Sequence, residues 1–472
     1  MSERTKLHWS GAEQPGEEDR RKSCHASPAS LSKTLVAASF VAFPAILFYT
    51  ILFRNALDIP FLDDYDALLN FLNQITLLTS LSAKASFFLA AQQNEYKLFF
   101  AHGIAWLLFD LCGHIDFKLL CAIGNGFVLL LAILLWKMFL PNCKDLTTRL
   151  AYFIPVSWLL FQLQYWGTLN WAMASIQNLA VLVFSLGAIY LLVREERWAF
   201  CCALAFLILA VSSSGNGLII IPIGVLILAL ARRYARVANW LVVSAGCIAA
   251  YAYRYNVMVS ATHPRNSIFS TFHPLSPGYV LAFIGSAGSF PFKAGSFLLG
   301  ILLCVFFVYM VRRGYIRKNP LVSYCVLFLL LTAIGVAGIR SDFGVEQSLS
   351  SRYTLYSALF LIFAWFAIVE EFLQHRRASL FHNDLFLCAV LAVVPFSLWM
   401  DLGGWLQIER RDCALVQAMA AFEHPATPES TAGPSPPVFL PEGKAASDAF
   451  NLRTRAILTE SIKLGVYRPP PY

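Results

Sequence analysis

The feature that most limits this chain is a series of apolar runs, each near the 20 or so residues a helix needs to cross a hydrocarbon core about 30 Å thick. About eleven such runs centre on residues 35–53, 118–139, 149–164, 175–193, 198–213, 217–231, 238–256, 294–311, 321–339, 354–372 and 384–401. The 472 residues are 58% hydrophobic and 14% charged, where a soluble domain carries about 25% charged residues. A soluble globular enzyme is thereby excluded, as are disordered, collagen-like and coiled-coil chains, which need polar or repetitive sequences. The expected fold is an all-α polytopic membrane protein of about eleven transmembrane helices, with interfacial helices in its first outer loop. The 11 cysteines sit mostly in apolar runs without CxxC or Cys/His spacing, so they read as small buried hydrophobes and indicate neither a disulfide frame nor a zinc site.

Lys and Arg orient the spans, because loops facing the cytoplasm carry an excess of both. With the N-terminus inside, the inner segments hold Arg20, Arg21, Lys22 and Lys33, then Lys137, Lys144 and Arg149, then Arg194 and Arg197. Arg232, Arg233 and Arg236 follow, then Arg312, Arg313, Arg317 and Lys318, and last Arg376 and Arg377. Every basic cluster falls on one side, so the net charge of +8 reports membrane topology and no nucleic-acid partner is expected. The stretch 98–111 is short for a span, and counting it as one would place every later cluster outside. It reads as a helix lying at the outer interface or re-entering it. Residues 1–32 lack the apolar core of a signal peptide and read as a cytoplasmic tail. Residues 33–402 form the transmembrane domain, and 403–472 a small periplasmic segment with a Pro-rich linker and an amphipathic helix over 444–464.

Three expected outer segments, 54–97, 254–293 and 340–353, are too long or too polar to be plain connectors. Asp58, Asp63, Asp64 and Asp66 fall within nine positions directly after the first span. Carboxylates this close repel one another unless a cation, hydrogen bonds or a reaction compensates. Capping the following helix accounts for one acid and leaves the others unexplained. Leu68, Leu69, Phe71 and Leu72 behind them form an apolar face suited to a helix resting on the bilayer. Glu95 in QQNEYK is a further acid on the same side, equally readable as an ordinary surface residue. QLQYWGTLNWAMASIQ, residues 162–177, reads first as an interfacial aromatic belt and second as amides beside aromatics that can contact a sugar. SSSGNG, 212–217, reads as a tight turn whose small residues can also donate to a phosphate. Arg340 and Arg352 break the positive-inside pattern. Each is read either as the partner of Asp342 or Glu346, or as gripping a lipid phosphate with Tyr353 as an added donor. Lys293, His263, Arg265 and His273 enlarge the outward supply of cations.

The acidic cluster after the first of about eleven spans, followed by interfacial helices, resembles the glycosyltransferase C superfamily, which includes protein mannosyltransferases, aminoarabinose transferases and oligosaccharyltransferases. IPFLDDYDALL looks like that superfamily's first-loop motif, with Asp63 and Asp64 matching its acidic pair, although Tyr65 stands one before the usual aromatic position and Asp66 is an added acid. EQSLSSRYT looks like a segment of uncharacterised bacterial relatives, and no large soluble domain follows, unlike the oligosaccharyltransferases. The resemblance implies a polyprenyl-phosphate-linked sugar donor, a membrane-lipid environment at the outer face of a bacterial inner membrane, and a glycan, lipid or protein acceptor. It implies Asp63 and Asp64 as catalytic acids, with Asp63 as general base, and Arg340, Arg352, Tyr353 and Lys293 as ligands of the donor phosphate. Asp66 and Glu95 would support them. The superfamily splits on metal use, so a divalent cation, Mg or Mn, held by Asp64 and Asp66 stays open. Two other classes compete. A transporter or flippase places ionisable groups at the bilayer midplane, which most of these spans lack. A polysaccharide polymerase or ligase shares the outer site but usually carries its main charged loop late. The enzyme reading requires the early acids and the late guanidiniums to meet in one cleft.

Overall fold

The computed structural model describes residues 28–140, 143, 145–256, 276–289, 292–374, 379–423 and 444–470. Most of the N-terminal tail, Lys144, His263, Arg265, His273, Arg376, Arg377 and the Pro-rich linker lie outside the described residues. Among the described residues the regular elements are helices, with two isolated bridges, Gln93 to Tyr96 and Ile115 to Tyr467.

The first apolar run forms α1, Pro28–Arg54. The next segment passes through a π-helical turn, Tyr65–Asn70, into α2 (Phe71–Thr76), α3 (Leu81–Ala90) and α4 (Phe99–Cys112). Then come α5 (Phe117–Met138), α6 (Leu146–Leu160), α7 (Ala172–Leu192), α8 (Arg197–Ser213), α9 (Ile220–Leu230) and α10 (Tyr234–Ala252). The remainder is α11 (Pro277–Ile284), α12 (Ala294–Arg312), α13 (Pro320–Arg340), α14 (Ser351–Gln374), α15 (Ser379–Glu423) and α16 (Lys444–Lys463).

Eight of these, α1, α5, α7, α10, α12, α13, α14 and α15, contain stretches long and apolar enough to cross a membrane. The chain is a helical multi-pass membrane protein. Three of the eleven expected runs form shorter helices, with 15 residues in α6, 17 in α8 and 11 in α9. At the α-helical rise these reach about 16–26 Å, less than the full hydrocarbon thickness. The 98–111 stretch forms α4, whose 14 residues are likewise short for a span.

α7 is apolar on all sides and almost wholly buried, as a helix at the centre of a bundle must be. It packs on α5 and α8, and with α14 it organises the main core. α15 has 45 residues, about 68 Å of helix, so it continues well beyond the expected boundary at 402. Gly403 and Gly404 do not stop it. Gly404 lets it press against the Leu163 carbonyl, where a Cβ would lie 2.2 Å from the oxygen.

The C-terminal segment returns to the first loop. Ile115 N–H donates to the Val466 carbonyl at 2.8 Å, and the Tyr467 hydroxyl donates to the Asp58 carbonyl at 2.6 Å. Leu68, Leu69, Phe71 and Leu72 are buried in a second core with Leu458, Val466 and Tyr467. This corrects the expectation that they rest on lipid: protein returning from the far end of the chain covers them.

At the other end of α7, about 30 Å away, basic side chains close helix C-termini. Arg233 donates to the carbonyls of Leu192 and Arg194 at 3.2 and 2.6 Å, and Arg149 donates to that of Phe139 at 3.0 Å.

Candidate functional site

The acid loop opens on Leu62, held at φ 48°, a left-handed conformation that a leucine rarely adopts and that costs of order 1–3 kcal/mol. The strained residue is followed by two acids with opposite surroundings. Asp64 is turned inward, 1% exposed, and accepts hydrogen bonds from the Met173 N–H at 2.8 Å and the Phe61 N–H at 3.0 Å. Burial pushes its pKa up to about 7, and those two N–H groups oppose the shift. Asp64 thus fastens the first loop to the start of α7. It caps no helix: the turn that follows is π-helical and takes no side-chain cap from it.

Asp63 is half-buried, and among the described residues its carboxylate meets no hydrogen-bond or ion-pair partner. Burial raises its pKa; Arg352 opposes this most strongly, Asp66 and Glu95 add to it, and Arg340 opposes it. A carboxylate raised in this way and left unpaired suits proton transfer. Asp66 stands on the π-helical turn, with the Arg453 guanidinium of α16 at 2.7 Å. Asp58 accepts from the Phe117 N–H at 2.7 Å, and burial pushes its pKa up to about 6. The four acids therefore coexist because each but Asp63 has its own partner. Asp64 and Asp66 present oxygens to different groups, the Met173 and Phe61 N–H groups and the Arg453 guanidinium. Among the described residues no three His, Cys, Asp or Glu side chains gather as a metal-holding group.

Arg340, at the end of α13, pairs with Glu95 at 2.5 Å and lies over the Tyr96 ring at 5.6 Å. Its partner comes from the first loop, in place of the neighbouring Asp342 or Glu346. Glu95 follows a second strained residue, Asn94, at φ 48°. Lys97 is fully buried and donates to the carbonyls of Leu89, Ala90 and Tyr253 at 3.0, 2.8 and 3.0 Å, so it ties α3 and α10 to the loop that carries Glu95. Arg352, in the first turn of α14, lies 5.1 Å from the centre of the Tyr353 ring. No carboxylate comes within ion-pair distance of it among the described residues, and its Nε is buried without a partner. Tyr353 is 7% exposed and packs on Phe283. Lys293 is in an exposed pair with Glu346 at 2.5 Å and faces solvent with it.

Tyrosines wall this cluster. Burial pushes the Tyr96 pKa up to about 12 against the pull of Arg340. Tyr255 donates to the Glu95 carbonyl at 3.0 Å, and Tyr279 is fully buried with its hydroxyl unpartnered. The SSSGNG turn joins here through Asn216, whose amide donates to the Tyr356 hydroxyl at 2.9 Å.

The segment after α6 links the start of α14 to the acid loop. Gly167 N–H donates to Ser351 Oγ at 3.2 Å, next to Arg352, and a Cβ at Gly167 would lie 2.3 Å from that oxygen. Six residues later, Met173 binds Asp64. Between these anchors, Thr168, Asn170 and Trp171 are 2%, 7% and 7% exposed, and among the described residues their side-chain polar atoms have no partners. Each such orphan costs about 1–3 kcal/mol if nothing polar reaches it. Arg411 of α15, 2% exposed, holds the segment from behind by donating to the Asn170 carbonyl at 2.6 Å.

Of the expected residues, Asp63, Glu95, Arg340, Arg352 and Tyr353 are brought into one neighbourhood. Asp64 supports them from within, Asp66 is drawn toward α16, and Lys293 stands on the surface. Sequence reasoning missed Arg411, Tyr279, Tyr356 and the burial of Lys97. A charged residue far beyond the last expected span, such as Arg411, was the one signal available. The chain matches no family model, no curated protein and no solved structure.

Proposed function

We propose that this protein is an inverting membrane glycosyltransferase that moves a sugar from a polyprenyl-phosphate-linked donor to a cell-envelope glycan, lipid or protein. In this reading the chain crosses a bacterial inner membrane eleven times, with its site at the outer face. The observation that carries the reading is that Asp63, from the first loop, and Arg352, from the start of α14, lie close enough for the Arg352 charge to oppose the rise in the Asp63 pKa, while among the described residues neither forms an ion pair. Asp63 takes the proton of an acceptor hydroxyl or amine as that group attacks the anomeric carbon. The bond from that carbon to the phosphate oxygen breaks, and the lipid phosphate leaves with its electron pair. Arg352 neutralises the departing anion. Arg340, already paired with Glu95, holds the Tyr96 wall in place.

Asp63→Asn is expected to lower sugar transfer in membranes at least 100-fold, within the usual range for a lost general base, while the protein accumulates and inserts as before. Arg352→Ala is expected to raise the KM for the lipid-linked donor. Normal transfer by the first variant removes the catalytic assignment, and unchanged donor dependence in the second removes Arg352 from the phosphate.

A further inference from the structure

The site has a second wall that the transfer step does not use. Within four residues of chain, Thr168 Oγ1, both polar atoms of the Asn170 side chain and Trp171 Nε1 are buried and, among the described residues, unpartnered. Buried polar groups in folded proteins find partners almost without exception, so a run of orphans marks a place where something polar enters. Its position is fixed at both ends: Gly167 touches Ser351 beside Arg352, and Met173 binds Asp64 beside Asp63. The segment therefore runs from the residue that touches Ser351, beside Arg352, to the residue that binds Asp64, beside Asp63, and a sugar linked to a phosphate on Arg352 would lie along it. Trp171 is steadied edge-on by Phe61, with ring centres 5.7 Å apart, and Asn170 by Arg411. Trp166 and Gly167, only half-buried, give the wall a way to the surface.

The chemistry of the wall is specific. It offers a hydroxyl, an amide and an indole N–H, all uncharged, and among the described residues the one cation on this segment's backbone, Arg411, is already paired with Asp412 and turned to the Asn170 carbonyl. Neutral donors and acceptors beside an aromatic ring match the hydroxyls of an uncharged sugar. Apart from Asp63 and Arg352, which the transfer step engages, the wall gives an ammonium or carboxylate on the sugar no counter-charge, so such a group would lose its hydration uncompensated. We propose that Thr168, Asn170 and Trp171 form the sugar subsite and select a neutral hexose over an amino sugar or a uronic acid. This rests on the glycosyltransferase reading above and adds the class of sugar to it.

The test uses the full-length protein in lipid nanodiscs and reads binding of three probes: decaprenyl phosphate, decaprenyl-phosphoryl-mannose and a decaprenyl-phosphoryl amino sugar. The expected result is binding of the mannosyl lipid at least tenfold tighter than either other probe. Thr168→Val, which removes one polar atom while keeping shape, and Trp171→Phe, which removes the indole N–H together with part of the ring, should bring the mannosyl lipid toward the affinity of bare decaprenyl phosphate and leave the latter unchanged. Equal affinity for all three probes, or tightest binding of the amino sugar, overturns the subsite while the donor reading stands. Variants that weaken bare lipid phosphate and mannosyl lipid alike also overturn it, because the residues then serve the fold. Failure of the unaltered protein to bind any of the three removes the donor reading, and the subsite with it.

Discussion

Asp63 and Asp64 are neighbours in sequence with separate physical jobs: Asp64 accepts from the Met173 and Phe61 N–H groups, whereas among the described residues the Asp63 carboxylate has no such partner. Asp64→Ala leaves the N–H groups of Met173 and Phe61 without acceptors in a buried setting, a loss of about 2–5 kcal/mol, and thermal unfolding in detergent should show it as a lower Tm. Asp63→Asn removes no partner and should leave Tm within a degree or two. A matched Tm drop in both would mean that the division is absent. The pH dependence follows from the direction of the Asp64 shift. Its folded pKa, about 7, lies above the unfolded carboxylate value, so the folded state binds the extra proton between them. Stability is then highest below about pH 4 as far as this group is concerned, and falls by up to roughly 4 kcal/mol as pH rises toward 7. Asp64→Asn, which has no proton to lose, should flatten the fall of Tm between pH 5 and 7.5. An unchanged slope would assign the dependence to another group.

Among the elements, the long apolar runs were legible because one side chain after another repeats the same preference for hydrocarbon. α1, α5, α7 and α12 lie close to where the runs place them. What the runs did not show was tertiary contact: α15 continues past 402 with Gly404 nested on the Leu163 carbonyl, which no local pattern announces. The same applies to the acid loop. Its residues were readable as a site, yet the π-helical turn and the partner of each acid depend on Met173, Phe117 and Arg453, all distant in sequence. The C-terminal clasp is the plainest case, since an amphipathic helix over 444–464 was visible and its docking surface was not. Tyr467→Ala should cost about 3–5 kcal/mol, as truncation of a fully buried aromatic does. Tyr467→Phe, which keeps the ring and loses the hydroxyl bonded to the Asp58 carbonyl, should cost about 1 kcal/mol. Arg453→Ala should change stability by under 1 kcal/mol because its side chain is 64% exposed. Limited proteolysis near the C-terminus reads all three, and equal sensitivity for Ala and Phe at 467 would place the clasp's strength in the hydroxyl rather than in packing.

For the whole molecule, the charge pattern and the contacts make one joint statement about orientation. The Arg233, Arg194 and Glu195 group gathers at the Leu192 end of α7, and the Asp64 and Met173 contact lies at the opposite end. One elongated helix therefore separates a basic, carbonyl-capping end from the end that holds the candidate site, by roughly the thickness of a hydrocarbon core. In the proposed orientation, the basic end faces the cytoplasm and the site faces outside. Glu195 and Glu346 report the two ends, since their side chains are 91% and 78% exposed. In a cysteine-free background, Glu346→Cys should react with a membrane-impermeant maleimide in intact spheroplasts, whereas Glu195→Cys should react only after permeabilisation. The reverse pattern would turn the protein over, move the acid loop to the cytoplasm, and take away the outer-face donor, since a lipid-linked sugar presented outside could not reach Asp63. Labelling of both positions without permeabilisation would mean that α7 does not separate two compartments, and the crossing count would have to be rebuilt from the eight long helices alone.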